Sequence, residues 1–138
     1  MKFRFSEHDY EIVCLDFSHD DRLLVSCGNA QDGKLFIWDC LTGCIVSSAS
    51  VMNSPTTCVR FGGFRKDIKG RPIDRYQLAS AGQKRVIIWS LNPFTGELEN
   101  EALNTGTTIR DFMSLSFSPN GERFLFAGTT SGDFLIFQ

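Results

Sequence analysis

The sequence has few of the residues that catalytic and metal sites usually require. It contains only two histidines, His8 and His19, so any serine or cysteine nucleophile would have to recruit one of them as its base. Its five cysteines include no CxxC pair, and Cys40 with Cys44 and a distant histidine makes a poor ligand set for a metal ion. No GxSxG, HExxH or glycine-rich phosphate loop occurs. We therefore expect no enzyme activity, no metal site and no cofactor in this chain.

Charge and hydropathy exclude two further classes of partner. The 14 Lys and Arg residues are balanced by 16 Asp and Glu residues, so no basic surplus is available for nucleic acid or an anionic membrane surface. The longest uncharged stretch, residues 40–59, is interrupted by Gly43, Pro55 and several hydroxyl residues, which excludes a membrane span. Lys2 and Arg4 leave no apolar run for a secretory signal. The expected location is cytoplasmic.

The sequence does contain a repeat of short β-rich segments. Each unit has a strand ending in Phe, then a small-residue strand, then a strand that closes on an aromatic residue. The three sets are residues 14–18, 24–28 and 32–39; residues 58–61, 78–82 and 85–90; and residues 114–118, 125–128 and 132–137. Residues 43–48 add a fourth strand to the first unit, and residues 97–103 are placed to do so in the second. Four antiparallel strands in succession predict a propeller blade.

The dipeptide Trp38-Asp39 and its surroundings resemble the WD-repeat family over nearly the whole chain. The resemblance implies that one unit buries a hydrogen-bonded group of four side chains: His8, Ser26, Asp32 and Trp38. The second unit keeps Ser80 and Trp89 but has Gln83-Lys84 where the Asp belongs, and the third has Phe137 in place of Trp. On this pattern we expect Trp38→Ala to cost more stability than Trp89→Ala, because Trp38 anchors a larger polar network.

The predicted fold is therefore all-β, a partial WD-repeat β-propeller of about three four-stranded antiparallel blades that is open. The blade units are about 7–50, 51–104 and 105–138 of one segment covering 1–138, with 1–6 as the outer strand of a preceding or closing blade. Three blades are too few to close a ring, so we expect a fragment of a larger ring or a partner that completes it. A homo-oligomer formed by exchange of terminal strands is the less favoured alternative.

One connection is longer and more basic than its counterparts in the other units. Residues 62–75 predict a loop on one propeller face, with five basic and two acidic side chains. It is either a docking site for an acidic protein or a flexible solvated excursion. The candidate partner-binding residues are Phe64, Arg65, Lys66, Lys69, Arg71 and Arg75. Elsewhere, Asp20-Asp21 is interpreted as a solvated turn and Glu97, Glu99 and Glu101 as the charged guard of an edge strand.

Rigid blades that present loops on two faces predict a non-catalytic scaffold for other proteins. Residues 24–39, 79–89 and 127–133 look like the propellers of the cilia- and flagella-associated WD-repeat proteins. That resemblance implies a place in the axoneme of a cilium or flagellum, with tubulin of the doublet microtubules and axonemal proteins as partners. Two alternatives stay open: a soluble adaptor, such as a ubiquitin-ligase substrate receptor or a nuclear assembly hub, and an enzyme whose catalytic domain lies outside this sequence.

Overall fold

The computed structural model describes residues 4–51, 56–66, 69, 72–106, 111–118 and 124–138, and only the backbone at 63–66 and 72–74. Eleven strands cover most of these residues: β1 (Ile12–Phe17), β2 (Leu23–Gly28), β3 (Lys34–Asp39), β4 (Ile45–Ser50), β5 (Thr56–Lys66), β6 (Pro72–Gly82), β7 (Val86–Leu91), β8 (Leu98–Ala102), β9 (Phe112–Phe117), β10 (Leu125–Thr129) and β11 (Phe134–Phe137). The described residues contain no helix long and apolar enough to cross a membrane.

The strands form three antiparallel sheets in which sequence neighbours pair. Blade 1 has the order β1-β2-β3-β4, blade 2 has β5-β6-β7-β8, and blade 3 has three strands within the described residues, β9-β10-β11. The three sheets do not close on each other. The prediction of an all-β, partial and open β-propeller is confirmed, including the fourth strands β4 and β8.

The blades pack through two apolar cores, one at each seam between neighbouring sheets. Blade 1 turns Val25 and Ile37 toward blade 2, where they meet Val59, Leu78 and Leu91, all fully buried. Strand alternation makes this possible, because the side chains of one face point into one seam and those of the other face into the next. The other face of blade 2 meets blade 3 through a second core: Cys58, Ala79, Ala81, Val86, Phe112, Leu115, Leu125 and Ala127.

The amino-terminal segment packs on blade 1 where the structure describes it. Lys2 and Phe3 of the predicted outer strand lie outside the described residues, and Arg4 to Ser6 pair with no strand in the described structure. Phe5 instead stacks on Trp38 of blade 1, with ring centroids 4.6 Å apart. That residues 1–6 supply the outer strand of another blade stays a prediction.

The predicted loop at 62–75 is wrong in conformation over most of its length. β5 and β6 are each 11 residues long, against six in the corresponding strands of blade 1, and they stay paired beyond the blade. Phe64 pairs with Tyr76 and Lys66 with Pro72, across irregularities in register. We call this extension, residues 62–75, the arm. Five extra residues at about 3.3 Å each carry it roughly 15 Å past the blade edge.

Candidate protein-interaction site

The four side chains that the sequence singles out in blade 1 meet in one hydrogen-bonded chain. Trp38 Nε1–H donates to Ser26 Oγ over 2.9 Å, and Ser26 Oγ lies 2.7 Å from His8 Nε2. His8 Nδ1 lies 2.6 Å from Asp32 Oδ2. Every donor finds an acceptor if Ser26 O–H donates to Nε2 and the protonated Nδ1 donates to Asp32, which assigns the tautomer from the network. His8 thus bridges Asp32 and Ser26, and Ser26 connects it to Trp38.

Asp32 is the anchor of this network because it also holds the backbone of the incoming segment. Its Oδ1 accepts the amide N–H groups of Asp9 and Tyr10, at 2.7 and 3.1 Å, and its side chain is fully buried. Burial opposes ionisation, but the bonds from His8 and from the two amides outweigh it and hold the pKa of Asp32 below its ordinary value. Gly28 lies beneath the carboxylate, where any Cβ would overlap it.

Blade 2 keeps only the inner half of this arrangement. Trp89 Nε1–H donates to Ser80 Oγ over 2.8 Å, the same contact that Trp38 makes. At the following turn, Lys84 takes a positive φ of 64°, as Gly33 does at 61° in blade 1. Each turn thus contains one residue with positive φ, and in blade 2 this residue is Lys84 and not a glycine.

The arm is fixed at its base by contacts with all three blades. Tyr76 O–H donates to Asp20 Oδ2 of blade 1 over 2.5 Å. The backbone of Gly62 lies against the Phe117 ring of blade 3, so that a Cβ there would come within 3.2 Å of the ring. Within blade 2, the rings of Phe61 and Tyr76 meet edge to face at 6.3 Å. The base of the arm is thus held by side chains of all three blades.

Asp20 is the residue at this base that sequence reasoning missed. Its other oxygen accepts Ser18 O–H at 2.7 Å and the Arg22 amide at 3.1 Å, so the turn presents the carboxylate toward Tyr76. Partial burial works against the charge, yet the bonds from Tyr76, Ser18 and Arg22 lower the pKa of Asp20. Burial and the Asp20 carboxylate raise the pKa of Tyr76 to about 12. Asp20 is an exposed turn residue, as expected, and it also accepts from Tyr76, which is 56 residues away and which no local pattern reveals.

Of the predicted partner-binding residues, the structure places two by their side chains. Lys69 is exposed. Arg75 lies within β6, and its guanidinium forms ion pairs with Glu99 at 3.4 Å and Glu97 at 3.9 Å on the edge strand. Nη1 of Arg75 is buried without hydrogen-bond geometry to any described atom, so the pairing is electrostatic. Arg75 serves the base of the arm, and Glu97 and Glu99 are more than a charged guard.

The other predicted residues of the arm are placed only in part. Phe64, Arg65 and Lys66 belong to β5, but their side chains lie outside the described part of the structure. Arg71 lies outside the described residues altogether. Across the described part of the chain, no group of three or more His, Cys, Asp and Glu side chains is arranged to hold a metal ion.

Comparison with known families bears on the blade 1 network directly. The family described as WD domain, G-beta repeat matches residues 1–39, the segment that contains all four network side chains. Residues 1–39 therefore match a WD repeat. The propeller fold extends past that match, since a chain in the crystal structure of a mitotic checkpoint complex superposes on 98% of this chain with a TM-score of 0.74 at 18% identity, covering 38% of that chain. The β-propeller domain of Myceliophteria thermophila Cps50 (Swd1) superposes on 92% with a TM-score of 0.65, also at 18% identity and 38% of that chain.

The curated relatives that match this chain all have the same name. Cilia- and flagella-associated protein 52 of Chlamydomonas reinhardtii and of Bos taurus are each 30% identical over 132 residues, which is 96% of this chain, and the human protein is 29% identical over the same length. The chain spans 20% of the length of each of these relatives. The expected resemblance to the cilia- and flagella-associated WD-repeat proteins is confirmed.

Proposed function

We propose that this WD-repeat protein is a non-catalytic scaffold of the ciliary or flagellar axoneme, which binds tubulin of the doublet microtubules and neighbouring axonemal proteins through its arm. The observation that supports the ciliary role is similarity over 96% of the chain to relatives named for cilia and flagella. The fold supports the scaffold role, because blades present rigid loops and no chemistry of their own.

The arm is the surface that we assign to the partner. Its sequence carries Arg65, Lys66, Lys69 and Arg71 against Asp67 and Asp74. Arg75 is excluded from this set because Glu97 and Glu99 neutralise it within the chain. A basic projection held by three blades suits an acidic surface, since complementary charge speeds association and a pre-set position lowers the entropy lost on binding.

Affinity purification of the tagged full-length protein from ciliated cells, across increasing salt, tests the location. Recovery with tubulin and axonemal proteins that persists at high salt is the expected result. Recovery with soluble ubiquitin-ligase or nuclear components would overturn the ciliary role in favour of an adaptor. If the full-length protein also contained a catalytic domain, the purified protein would show enzyme activity.

Cosedimentation with microtubules tests the arm. We expect Lys66→Ser/Lys69→Ser to weaken binding by about tenfold at low salt and to flatten its salt dependence, because the loss of two basic charges is worth roughly 1.4 kcal/mol. Lys84→Ser/Arg85→Ser is the matched control, since both residues are exposed at the turn on the opposite end of blade 2. Equal loss in the two double variants would show that charge in general, not the arm, sets the affinity.

A further inference from the structure

Three cysteines converge where the inner strands of blades 1 and 2 meet. Cys14 on β1 lies opposite Cys27 on β2 in the strand register, and Cys58 is on β5 of the next blade. Cys27 and Cys58 are buried, Cys14 is half-buried, and all three are free thiols. Cys14 packs against the apolar cores of both seams. The fold therefore puts a partly accessible thiol beside a buried one across a blade boundary.

Two donors point at the Cys14 sulfur, which also lies 3.5 Å from the Val59 carbonyl oxygen. The Val59 amide N–H points to Cys14 Sγ over 3.4 Å, and Arg60 Nη1 lies 3.6 Å from the same sulfur. The guanidinium is itself held in place, because Nη1 also donates to the Val59 carbonyl over 3.1 Å. A backbone donor and a fixed cation on one sulfur stabilise a thiolate and favour its reaction with electrophiles.

The charged and titratable neighbours on every adjoining strand agree with this arrangement. The hydrogen bond from Cys58 is the main cause that lowers the pKa of Cys14 to about 6, against burial and with help from Val59 and Arg60. The same bond and burial raise the pKa of Cys58. Burial raises the pKa of Cys27 to about 12. Asp16, the remaining charge nearby, attracts Arg60. One thiolate thus faces thiols that keep their protons.

We propose that Cys14 is a peroxide-reactive thiol and that Cys58 resolves it as a disulfide between blades 1 and 2. The Cys14 thiolate attacks one oxygen of hydrogen peroxide and breaks the O–O bond, which gives the Cys14 sulfenic acid and hydroxide. The Cys58 sulfur then attacks the sulfenic sulfur, its proton leaves with the departing hydroxyl as water, and an S–S bond forms. Two electrons pass from the thiol pair to peroxide.

Peptide mass spectrometry of the full chain after brief peroxide treatment at pH 7 tests this proposal. Cys44 is the internal control, because it is exposed and its sulfur has only the Thr42 carbonyl as a described contact, at 3.9 Å. We expect Cys14 to be oxidised about tenfold faster than Cys44, since a thiolate at neutral pH reacts where a thiol does not. The product in the unaltered chain is a Cys14–Cys58 linked peptide. Faster oxidation of Cys44 would overturn the proposal.

Three variants separate reactivity from a structural role. Cys58→Ser should stop at a sulfenic acid on Cys14 that a 1,3-dione traps, and Cys14→Ser should leave Cys58 unoxidised. Arg60→Gln should slow oxidation of Cys14 several-fold with no change at Cys44. In the unaltered chain, the rate of alkylation of Cys14 should rise with a midpoint near pH 6. A midpoint equal to that of Cys44, or a Cys58→Ser chain with no trapped Cys14, would refute it.

Discussion

Blades 1 and 3 contain the same kind of hairpin, with a buried polar pair in blade 1 and an apolar pair at the corresponding positions of blade 3. Leu24 pairs with Trp38 in blade 1, and Leu125 pairs with Phe137 at the corresponding place in blade 3. Ser26, which accepts from Trp38, corresponds to the fully buried Ala127. Phe has no N–H to satisfy and Ala has no hydroxyl, so blade 3 lost both partners together. A buried polar pair can be replaced as a pair at little cost, whereas removing one partner leaves the other unsatisfied.

Blade 2 contains part of the blade 1 network and shows which of its side chains can be present without the others. It keeps the serine and tryptophan but has no aspartate at its turn. The serine and tryptophan therefore serve the two middle strands of a blade, while the histidine and aspartate serve the attachment of the segment that enters it.

The largest effect should come from the tryptophans, and the structure favours the opposite order to the sequence. Trp89 is part of the core between blades 1 and 2, where its removal leaves a cavity walled on both sides. Trp38 is covered by the stacked Phe5 ring, which can settle into the space. In urea unfolding of the full chain, we expect Trp89→Ala to cost about 4 kcal/mol and Trp38→Ala about 1 kcal/mol less. Equal losses would show that the blade 1 network compensates for the shallower position.

Next in size is removal of the aspartate that only blade 1 possesses. Asp32→Ala leaves two backbone amides and the His8 imidazole without their acceptor, so we expect it to cost about 3 kcal/mol in the same unfolding measurement. Gln83→Ala at the blade 2 turn is the matched control and should stay within about 0.5 kcal/mol, because Gln83 is exposed. A small loss for Asp32→Ala would mean that the amino-terminal segment is not held by the network.

Acid should act on blade 1 through the same carboxylate. The folded state lowers the pKa of Asp32, so the stabilisation is fully present above the pKa of the unfolded chain and is lost as pH falls through the lower folded value. Denaturant titrations at pH 7 and at about pH 3 should show that the free energy of unfolding falls more between these pH values for the unaltered chain than for Asp32→Asn. Asp20, whose pKa is also lowered, contributes equally to both. Parallel losses would assign the acid sensitivity elsewhere.

We expect the smallest effect from variants that give blade 2 the apolar pair of blade 3. Ser80→Ala should leave the Trp89 N–H without its acceptor, and Trp89→Phe should leave the Ser80 hydroxyl without its donor. The double variant removes both and should be more stable than the sum of the two single losses by about 1 kcal/mol. Thermal unfolding of the four chains gives this coupling energy. Strict additivity would mean that the buried bond adds nothing to the packing of the two side chains.

The sequence predicts the blades well because their signals are local. Each hairpin is marked by alternating apolar residues and a turn within about a dozen positions, and β1 and β9 end at Phe17 and Phe117 as predicted, whereas β5 continues past Phe61. The arm was predicted as a loop because Gly62-Gly63 and closely spaced charges break the alternation, while pairing with β6 maintains the strand across these irregularities.

The contacts between blades were beyond prediction because they join residues far apart in the chain. Tyr76 reaches Asp20 across 56 positions, and Arg60 reaches Cys14 across 46. Neither partner carries a motif, so only the packing of one sheet on the next reveals the pair. Arg75 illustrates a different error. The sequence groups it with the other basic residues of the arm, but acidic side chains of the same chain neutralise its charge in the folded state.

The anchoring of the arm has a mechanical consequence. A pull on its tip acts through a lever of roughly 15 Å on a base held by a hydrogen bond to blade 1, ion pairs to the edge of blade 2 and an aromatic ring of blade 3. Blades 1 and 2 are also joined at their periphery, where Ser47 O–H donates to the Gly96 carbonyl over 2.7 Å. Tension on the arm is therefore passed to blade 1 as well as to blade 2, because the Tyr76 and Ser47 hydroxyls both donate across the seam between these two blades.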